Sequence, residues 1–204
     1  MTAIVDYGVG NLFSLISSLR YLKQDAVLTS EEEVINAADR VILPGVGAFG
    51  DAAEKLRESG LDAVIRKQAF AGKPLLGICL GMQLLFEKSY EFGEHQGLGL
   101  LKGSIIPMQG TIPKGLKIPQ MGWNALQIRR PHPLLQQIRE GDCVYFVHSF
   151  YASDCEESIL AVCEYGTAIP AAVAGENVMG CQFHPEKSGK VGLSILKAFC
   201  EVTI

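Results

Sequence analysis

The stretch Lys73-Pro74-Leu75-Leu76-Gly77-Ile78-Cys79-Leu80-Gly81-Met82-Gln83-Leu84-Leu85-Phe86 decides how this chain folds. Its apolar start reads as a strand over 73–78, and Met82–Phe86 reads as helical. Between them stands a cysteine with a glycine two residues before it and another two residues after. A strand that turns directly into a helix does so too tightly for side chains at those flanks, so Gly77 and Gly81 satisfy a steric demand. The turn would present Cys79 at the carboxyl edge of a sheet, beside the unpaired N–H groups of a helix start, a setting that favours the thiolate. Glycine is common here, with 22 residues, and a buried cysteine often serves as a small core hydrophobe. The elbow alone leaves both readings open.

Far downstream stands His184-Pro185-Glu186. A nucleophilic cysteine needs an imidazole to take its proton and later give one to the leaving group, and the imidazole needs a partner that sets its tautomer. In an extended segment, residues two apart share a face, so Glu186 can orient His184 while Pro185 stiffens the backbone between them. Taken alone, the same residues would equally make a surface turn with a solvated carboxylate.

Working outward, the first half alternates strand and helix. Strands are expected at Thr2–Asp6, Ala26–Thr29 and Arg40–Leu43. Helices are expected at Leu12–Lys23, Ser30–Ala37 (capped by Ser30, with Glu33 three residues on), Phe49–Glu58 and Leu61–Ala71. Repeated βαβ units with short loops predict an α/β fold with a central, mostly parallel sheet flanked by helices. The second half carries too many strand-like runs for more βαβ units: Gly99–Met108, Asn124–Arg129, Cys143–His148, Ile159–Tyr165, Pro170–Ala174 and Val178–Phe183. These predict antiparallel additions, including a hairpin at Gly175-Glu176-Asn177, before a closing helix at Ser188–Val202. With no linker or repeat, one domain over residues 1–204 is expected.

Hydrophobic residues make up 48% and charged residues 20% of the chain, a globular balance that argues against disorder. A net charge of −4 offers no basic footprint for nucleic acid or acidic membrane. No apolar run is long enough to span a bilayer, and the first residues lack the pattern of a secretory leader. The cysteines are Cys79, Cys143, Cys155, Cys163, Cys181 and Cys200. None forms a CxxC pair, and no metal-ligand spacing stands out, so reduced thiols in the cytoplasm are expected. Cys143, Cys163 and Cys181, in apolar strand-like runs, read as core.

Pro44-Gly45-Val46-Gly47 leaves a strand one unit before the nucleophile strand, at the sheet edge where ligands of parallel sheets bind. Its glycines let backbone N–H groups turn toward a developing oxyanion, and the Leu80 N–H is a second natural donor. An ordinary glycine-rich connection would look the same, while phosphate binding would want a following lysine or serine.

Together, Pro44–Gly47, Gly77–Gln83 and Gln182–Glu186 resemble the class I (triad) glutamine amidotransferases. Within that family the chain is similar to the glutaminase subunits of imidazole glycerol phosphate synthases. Asp6-Tyr7-Gly8-Val9-Gly10-Asn11, Pro44–Phe49, Met121-Gly122-Trp123-Asn124, Tyr145-Phe146-Val147-His148-Ser149 and His184–Ser188 carry that likeness. Gly189 stands where many relatives have serine.

The resemblance implies a flavodoxin-like fold with antiparallel additions and no cofactor. It implies that Cys79 attacks the glutamine side-chain amide, that His184 acts as general acid and base, and that Glu186 orients it. Gly45, Val46, Gly47 and Leu80 would shape the oxyanion hole. Gln83, Glu91, Ser149 and Phe150 would hold the rest of glutamine, Glu91 through the substrate's α-ammonium group. Asn11, Met121, Trp123, Tyr145 and Lys187 would face a (β/α)8 synthase subunit, the implied heterodimer partner. His148 would brace the substrate loop, with His95 and His132 as plain loop residues. Two alternatives differ from this reading: a glutaminase serving another acceptor, and a non-enzymatic cysteine redox sensor sharing the elbow. The second has no need of His184 and Glu186.

Overall fold

The computed structural model describes residues 1–202. The first half runs β1 (Thr2–Val5), α1 (Leu12–Tyr21), β2 (Ala26–Thr29), α2 (Glu32–Ala37), β3 (Arg40–Gly45), α3 (Phe49–Glu58), α4 (Leu61–Phe70), β4 (Leu75–Cys79) and α5 (Leu80–Leu84). The second half is mostly strand: β5 (Phe86–Ser89), β6 (His95–Gln96), β7 (Leu101–Pro107), β8 (Gln120–Ala125), β9 (Gln127–Ile128), β10 (Cys143–His148), β11 (Phe150–Ser153), β12 (Ile159–Glu164), β13 (Ala168–Ala174) and β14 (Val178–Cys181), followed by α6 (Gly189–Glu201).

The main sheet has the order β2-β1-β3-β4-β14-β13-β12-β9. Its first five strands pair in parallel, and β13, β12 and β9 follow as an antiparallel meander. Counted along the sequence, the parallel part has the 2-1-3-4-5 order of flavodoxin-like folds, whose ligands sit at the carboxyl ends of the strands. Strands β1, β4 and β14 are buried along their whole length, because both faces of this sheet are covered by helices. Alternate residues serve the two faces. Ile4, Ile42 and Leu76 meet Leu15 and Leu19 of α1 and Ile195, Leu196 and Phe199 of α6. Ala3, Val5, Leu43 and Leu75 meet Ile35, Phe49, Leu56, Val64 and Ile65 of α2, α3 and α4. The apolar stripes that bring those helices down, such as Phe49, Ala52, Ala53 and Leu56 on α3, recur at helical spacing.

Two smaller sheets flank the carboxyl edge: a ribbon of β8 and β10, and the order β11-β7-β5-β6. Their strands β10 and β7 stand where strands were expected, and the departures are in their partners. The segment Met82–Phe86 is helical only through Leu84, and Phe86 opens β5, where it is fully buried and pairs with Leu101. The expected strand at Asn124–Arg129 is instead the end of β8 followed by the two-residue β9, with Leu126 buried between them. Helix α2 starts at Glu32 with Glu31 at its cap position, and Ser30 caps nothing. Thr29 does the local work by accepting the Glu31 N–H through Oγ1 at 3.0 Å. Cys143 is exposed at the start of β10, whereas Cys163 and Cys181 are in the core as expected. Among the described residues no helix is long and apolar enough to cross a membrane.

Candidate active site

The chain between β4 and α5 makes the elbow. Cys79 has φ 55° and ψ −112°, a backbone state that L-residues rarely adopt and that is stored where surroundings overdetermine it. The surroundings here are two close approaches. A Cβ on Gly77 would lie 2.6 Å from the Gly81 carbonyl oxygen, and a Cβ on Gly81 would overlap the Leu43 carbonyl of β3. Leu80 then opens α5, so its N–H is among those with no partner inside the helix.

His184 follows β14, whose parallel register with β4 pairs Cys181 with Ile78. Its Nδ1 lies 2.8 Å from Glu186 Oε1, with the two side chains only 2% and 3% exposed. Glu186 is delivered by a 3-10 turn, Pro185–Lys187, rather than by the expected extended segment. The pairing is the expected one, but the geometry behind it is a turn begun by proline. Burial alone would push the His184 ring down. The hydrogen bond with Cys79 and the Glu186 carboxylate outweigh it and hold the ring at about 9. A ring that keeps a proton at neutral pH is the acid that a departing amine requires. The His184 segment is sewn to β10: its N–H donates to the Tyr145 carbonyl at 3.0 Å, and the Tyr145 N–H donates to Ser188 Oγ at 2.9 Å.

Cys79 and His184 open onto a cleft of ≈ 520 Å³. Val46, Gly47, Leu80, Gln83, Glu91, Ser149 and Phe150 line the same cleft, so most of the expected oxyanion and substrate residues are brought together. Gly45 lies behind them, packed against Gly81 N and the Tyr7 hydroxyl, and lines a small cavity with Asn11, His184 and Glu186. Gln83 donates through Nε2 to the Phe150 carbonyl at 3.0 Å and to Gln182 Oε1 at 3.1 Å. Glu91 accepts the Phe49 N–H at 2.7 Å. Burial raises the Glu91 carboxyl, and the Phe49 N–H opposes that rise. His148 is buried, with Nδ1 2.8 Å from the Phe150 carbonyl, which fits the expected bracing of that loop. Burial pushes its ring down to about 4, so it is neutral at pH 7.

Several supports were not assigned roles from sequence. The Tyr7 hydroxyl donates to the Pro44 carbonyl at 2.8 Å at the end of β3, and burial raises its phenol well above the usual range. Gln182 is fully buried and turns Nε2 toward Cys79 Sγ at 3.9 Å. Its position directly before the Phe183-His184 pair was the available signal. Phe92 lines the cleft mouth, edge-on to Phe150 at 6.1 Å. His95 is not a plain loop residue; its ring packs on Gly50, where a Cβ would lie 2.7 Å from Cε1.

The five residues expected at a partner surface come from β8, β10, the turn after His184 and the start of α1. Met121 and Trp123 on β8 are 63% and 56% exposed. Trp123 pairs across the ribbon with Tyr145, ring centroids 6.0 Å apart. Lys187 is exposed one residue past Glu186, and Asn11 lies at the start of α1.

The glutamine amidotransferase class-I family profile matches residues 3–202, and the chain belongs to that family of amide-hydrolysing enzymes. Solved neighbours share the fold: PurLQS from Thermotoga maritima has a TM-score of 0.74 at 22% identity, covering 97% of this chain and 96% of that one. A structure described as a glutamine amidotransferase has the same TM-score, 0.74, at 20% identity, covering 97% and 98%. Sequence similarity points to one member. The imidazole glycerol phosphate synthase subunit HisH of Wolinella succinogenes is 52% identical, covering 99% of this chain and 100% of its own length. Its namesake in Caldanaerobacter subterraneus is 50% identical, covering 99% and 98%.

Proposed function

We infer that this chain is the glutaminase subunit of an imidazole glycerol phosphate synthase, acting in histidine biosynthesis. The observation that carries the reading is identity at about half of all positions, end to end, with relatives that bear that name. The fold and cleft support the chemistry. Cys79 Sγ attacks the side-chain carbonyl carbon of glutamine as the thiolate, its proton already resting on the His184 ring. The oxyanion formed is held by the Leu80 N–H and the backbone of Gly45–Gly47, and His184 protonates the departing nitrogen as the C–N bond breaks. Ammonia leaves and a glutamyl thioester remains. Water activated by His184 then attacks the thioester, releasing glutamate and restoring the thiol. Glu186 keeps Nδ1 occupied throughout, leaving Nε2 for proton transfer.

Glutamine is held by Gln83, Glu91, Ser149 and Phe150 in this reading. Met121, Trp123, Tyr145, Lys187 and Asn11 receive a (β/α)8 synthase subunit, which uses the ammonia to form imidazole glycerol phosphate and AICAR. The protein works in the cytoplasm as one domain in a heterodimer. The Gly45–Gly47 loop gives a physical reason for dependence on the partner. Gly47, at φ 100°, can change its peptide orientation at low cost, and only some orientations aim an N–H at the oxyanion.

The test is glutamine hydrolysis by the purified chain alone, with the synthase subunit, and with that subunit plus an acceptor analogue. Activity should rise at each addition, and losing one oxyanion donor typically costs ~10²–10³-fold, which sets the scale of the switch. Full activity from the chain alone, unchanged by either addition, would reject the coupling. Failure of the two chains to co-purify would reject the assignment of the partner.

A further inference from the structure

We propose that Glu91 is a positioning residue as well as a binding residue: it ties the seating of the substrate to the geometry of the oxyanion loop. The proposal rests on the reading of Glu91 as the partner of the substrate's α-ammonium group, and the experiment below separates the two.

The oxyanion loop is short and pinned at both ends. At its start, Gly45 is the last residue of β3, in register with Cys79, and packs on the Gly81 N–H. At its end, Phe49 begins α3. Only Val46, Gly47 and Ala48 lie between, with Gly47 in the left-handed region at φ 100°. A loop this short takes its shape from where its two ends are held.

The far end is held by an unusual device. The cap position of α3 is Ala48, which has the extended backbone of a cap (φ −86°, ψ 142°) but no side chain able to accept a hydrogen bond. Glu91, remote in sequence, supplies the acceptor instead, taking the Phe49 N–H on Oε2 at 2.7 Å. Glu91 is anchored in turn. Its own N–H donates to Ser89 Oγ at 3.1 Å, and the neighbouring Tyr90 N–H donates to the Ile105 carbonyl at 2.9 Å. The same segment touches the helix start again through the His95 ring on Gly50.

Glu91 also lines the cleft that contains Cys79 and His184. One residue thus borders the cleft and, through its carboxylate, holds the first N–H of the helix that ends the oxyanion loop. An ammonium group bound to it fixes the carboxylate, and the carboxylate fixes the Phe49 N–H and with it the end of the loop. Coupling of this kind is reciprocal: a loop held in the productive shape presents Glu91 to the ammonium group.

The test uses the assembled complex with its synthase subunit and reads KM and kcat for glutamine separately. Glu91→Gln keeps an oxygen for the Phe49 N–H but loses the charge. KM should rise while kcat stays within about 3-fold, as for loss of interactions common to ground and transition states. Glu91→Ala removes both functions, so KM should rise and kcat should fall about 10²-fold, toward the loss of one oxyanion donor. The double variant Ala48→Ser/Glu91→Ala gives α3 a local cap, the introduced hydroxyl accepting the Gly50 or Asp51 N–H, so the helix start is held again one residue beyond the Phe49 N–H that Glu91 took. It should recover at least about 10-fold of the lost kcat while KM stays high. An unchanged kcat in Glu91→Ala overturns the proposal, as does a kcat loss that Ala48→Ser leaves untouched. If instead KM is unmoved in both single variants while kcat falls and is rescued, the coupling of Glu91 to the loop stands and its role at the ammonium group fails.

Discussion

Gly81 approaches strand β3 so closely that any Cβ on it would overlap the carbonyl oxygen of Leu43. Leu43 is fully buried in the central sheet, so it has nowhere to retreat. Gly81→Ala must therefore lift α5 off the sheet, and α5 begins at Leu80, directly after the strained backbone of Cys79. Overpacking of a rigid core typically costs ~1–3 kcal/mol, and a backbone obstacle belongs at the upper end. Urea unfolding should show a loss of about 3 kcal/mol, with glutamine hydrolysis abolished. Gly175→Ala is the matched control, since its Cβ would meet only the end of the Leu101 side chain at 3.2 Å. Equal midpoints for the two variants would contradict this account of the elbow.

Cys79→Ala should abolish glutamine-dependent synthesis by the complex while synthesis from added ammonia survives. The nucleophile is lost, but nothing in the sheet depends on the sulfur, whose contacts with the Val147 carbonyl and the Gln182 amide are long, at 4.0 and 3.9 Å. Normal glutamine turnover by the cysteine-free chain would remove Cys79 from the chemistry.

His184→Ala should lose more activity than Glu186→Gln. The first removes proton transfer, a contribution of ~10²–10⁴-fold. The second leaves an amide oxygen that can still accept from Nδ1 at the 2.8 Å contact, without the charge. Wild-type rates from His184→Ala, or a deeper loss in Glu186→Gln, would reverse the assigned roles.

His148 predicts an acid-side weakness. In the unfolded chain its ring takes up a proton near 6.5, but in the fold burial delays that to about 4. Between those values the unfolded state binds a proton that the folded state lacks, so stability falls as the pH drops through the window and levels off below it. The full effect is on the order of 3 kcal/mol. His184 acts in the opposite sense and in another window, because its ring is raised to about 9. Its stabilisation is complete below 6.5 and disappears as the pH rises through about 9. Unfolding free energies of wild type and His148→Gln, measured from pH 7 to 4, should converge as the pH falls. Parallel curves would exclude His148 as the source.

Trp123→Ala should weaken docking of the synthase subunit without altering the fold of the free chain. The indole is 56% exposed and touches Tyr145 edge-on, so its removal opens no core cavity. Anchor residues of interfaces cost ≥ ~2 kcal/mol when truncated, or about 30-fold in Kd. An unchanged Kd by titration calorimetry would take the β8–β10 ribbon out of the interface.

The legible parts of this chain were those with one strong physical demand. Strands β1, β3 and β4 and helices α3 and α4 stand within a residue or two of their expected limits, because continuous apolar runs alternate with amphipathic ones. The elbow was legible because its glycines answer to sterics. Strands β5, β6 and β11 were not. Glu87 and Lys88 interrupt the apolar pattern of β5, whose pairing with β7 is set by residues far along the chain. The Glu91–Phe49 bond joins positions 42 apart, and no local pattern announces it. Cys143 misled because it precedes an apolar run whose alternation starts one residue later, at Val144.

The register Cys181↔Ile78 places the next residues, Gln182 and Cys79, abreast at the end of two paired strands. Sulfur and imidazole are therefore spaced by a ladder in the middle of the main sheet, where amides should exchange with solvent only when the whole protein opens. In the proposed reading the oxyanion is shared between the Leu80 N–H, which belongs to the elbow, and the backbone of Gly45–Gly47, most of which lies in the short connection before α3. On the proposed reading, the spacing of the reactive pair is set by the sheet, and Gly47, at φ 100°, is the point where the oxyanion backbone can be reset without touching that spacing.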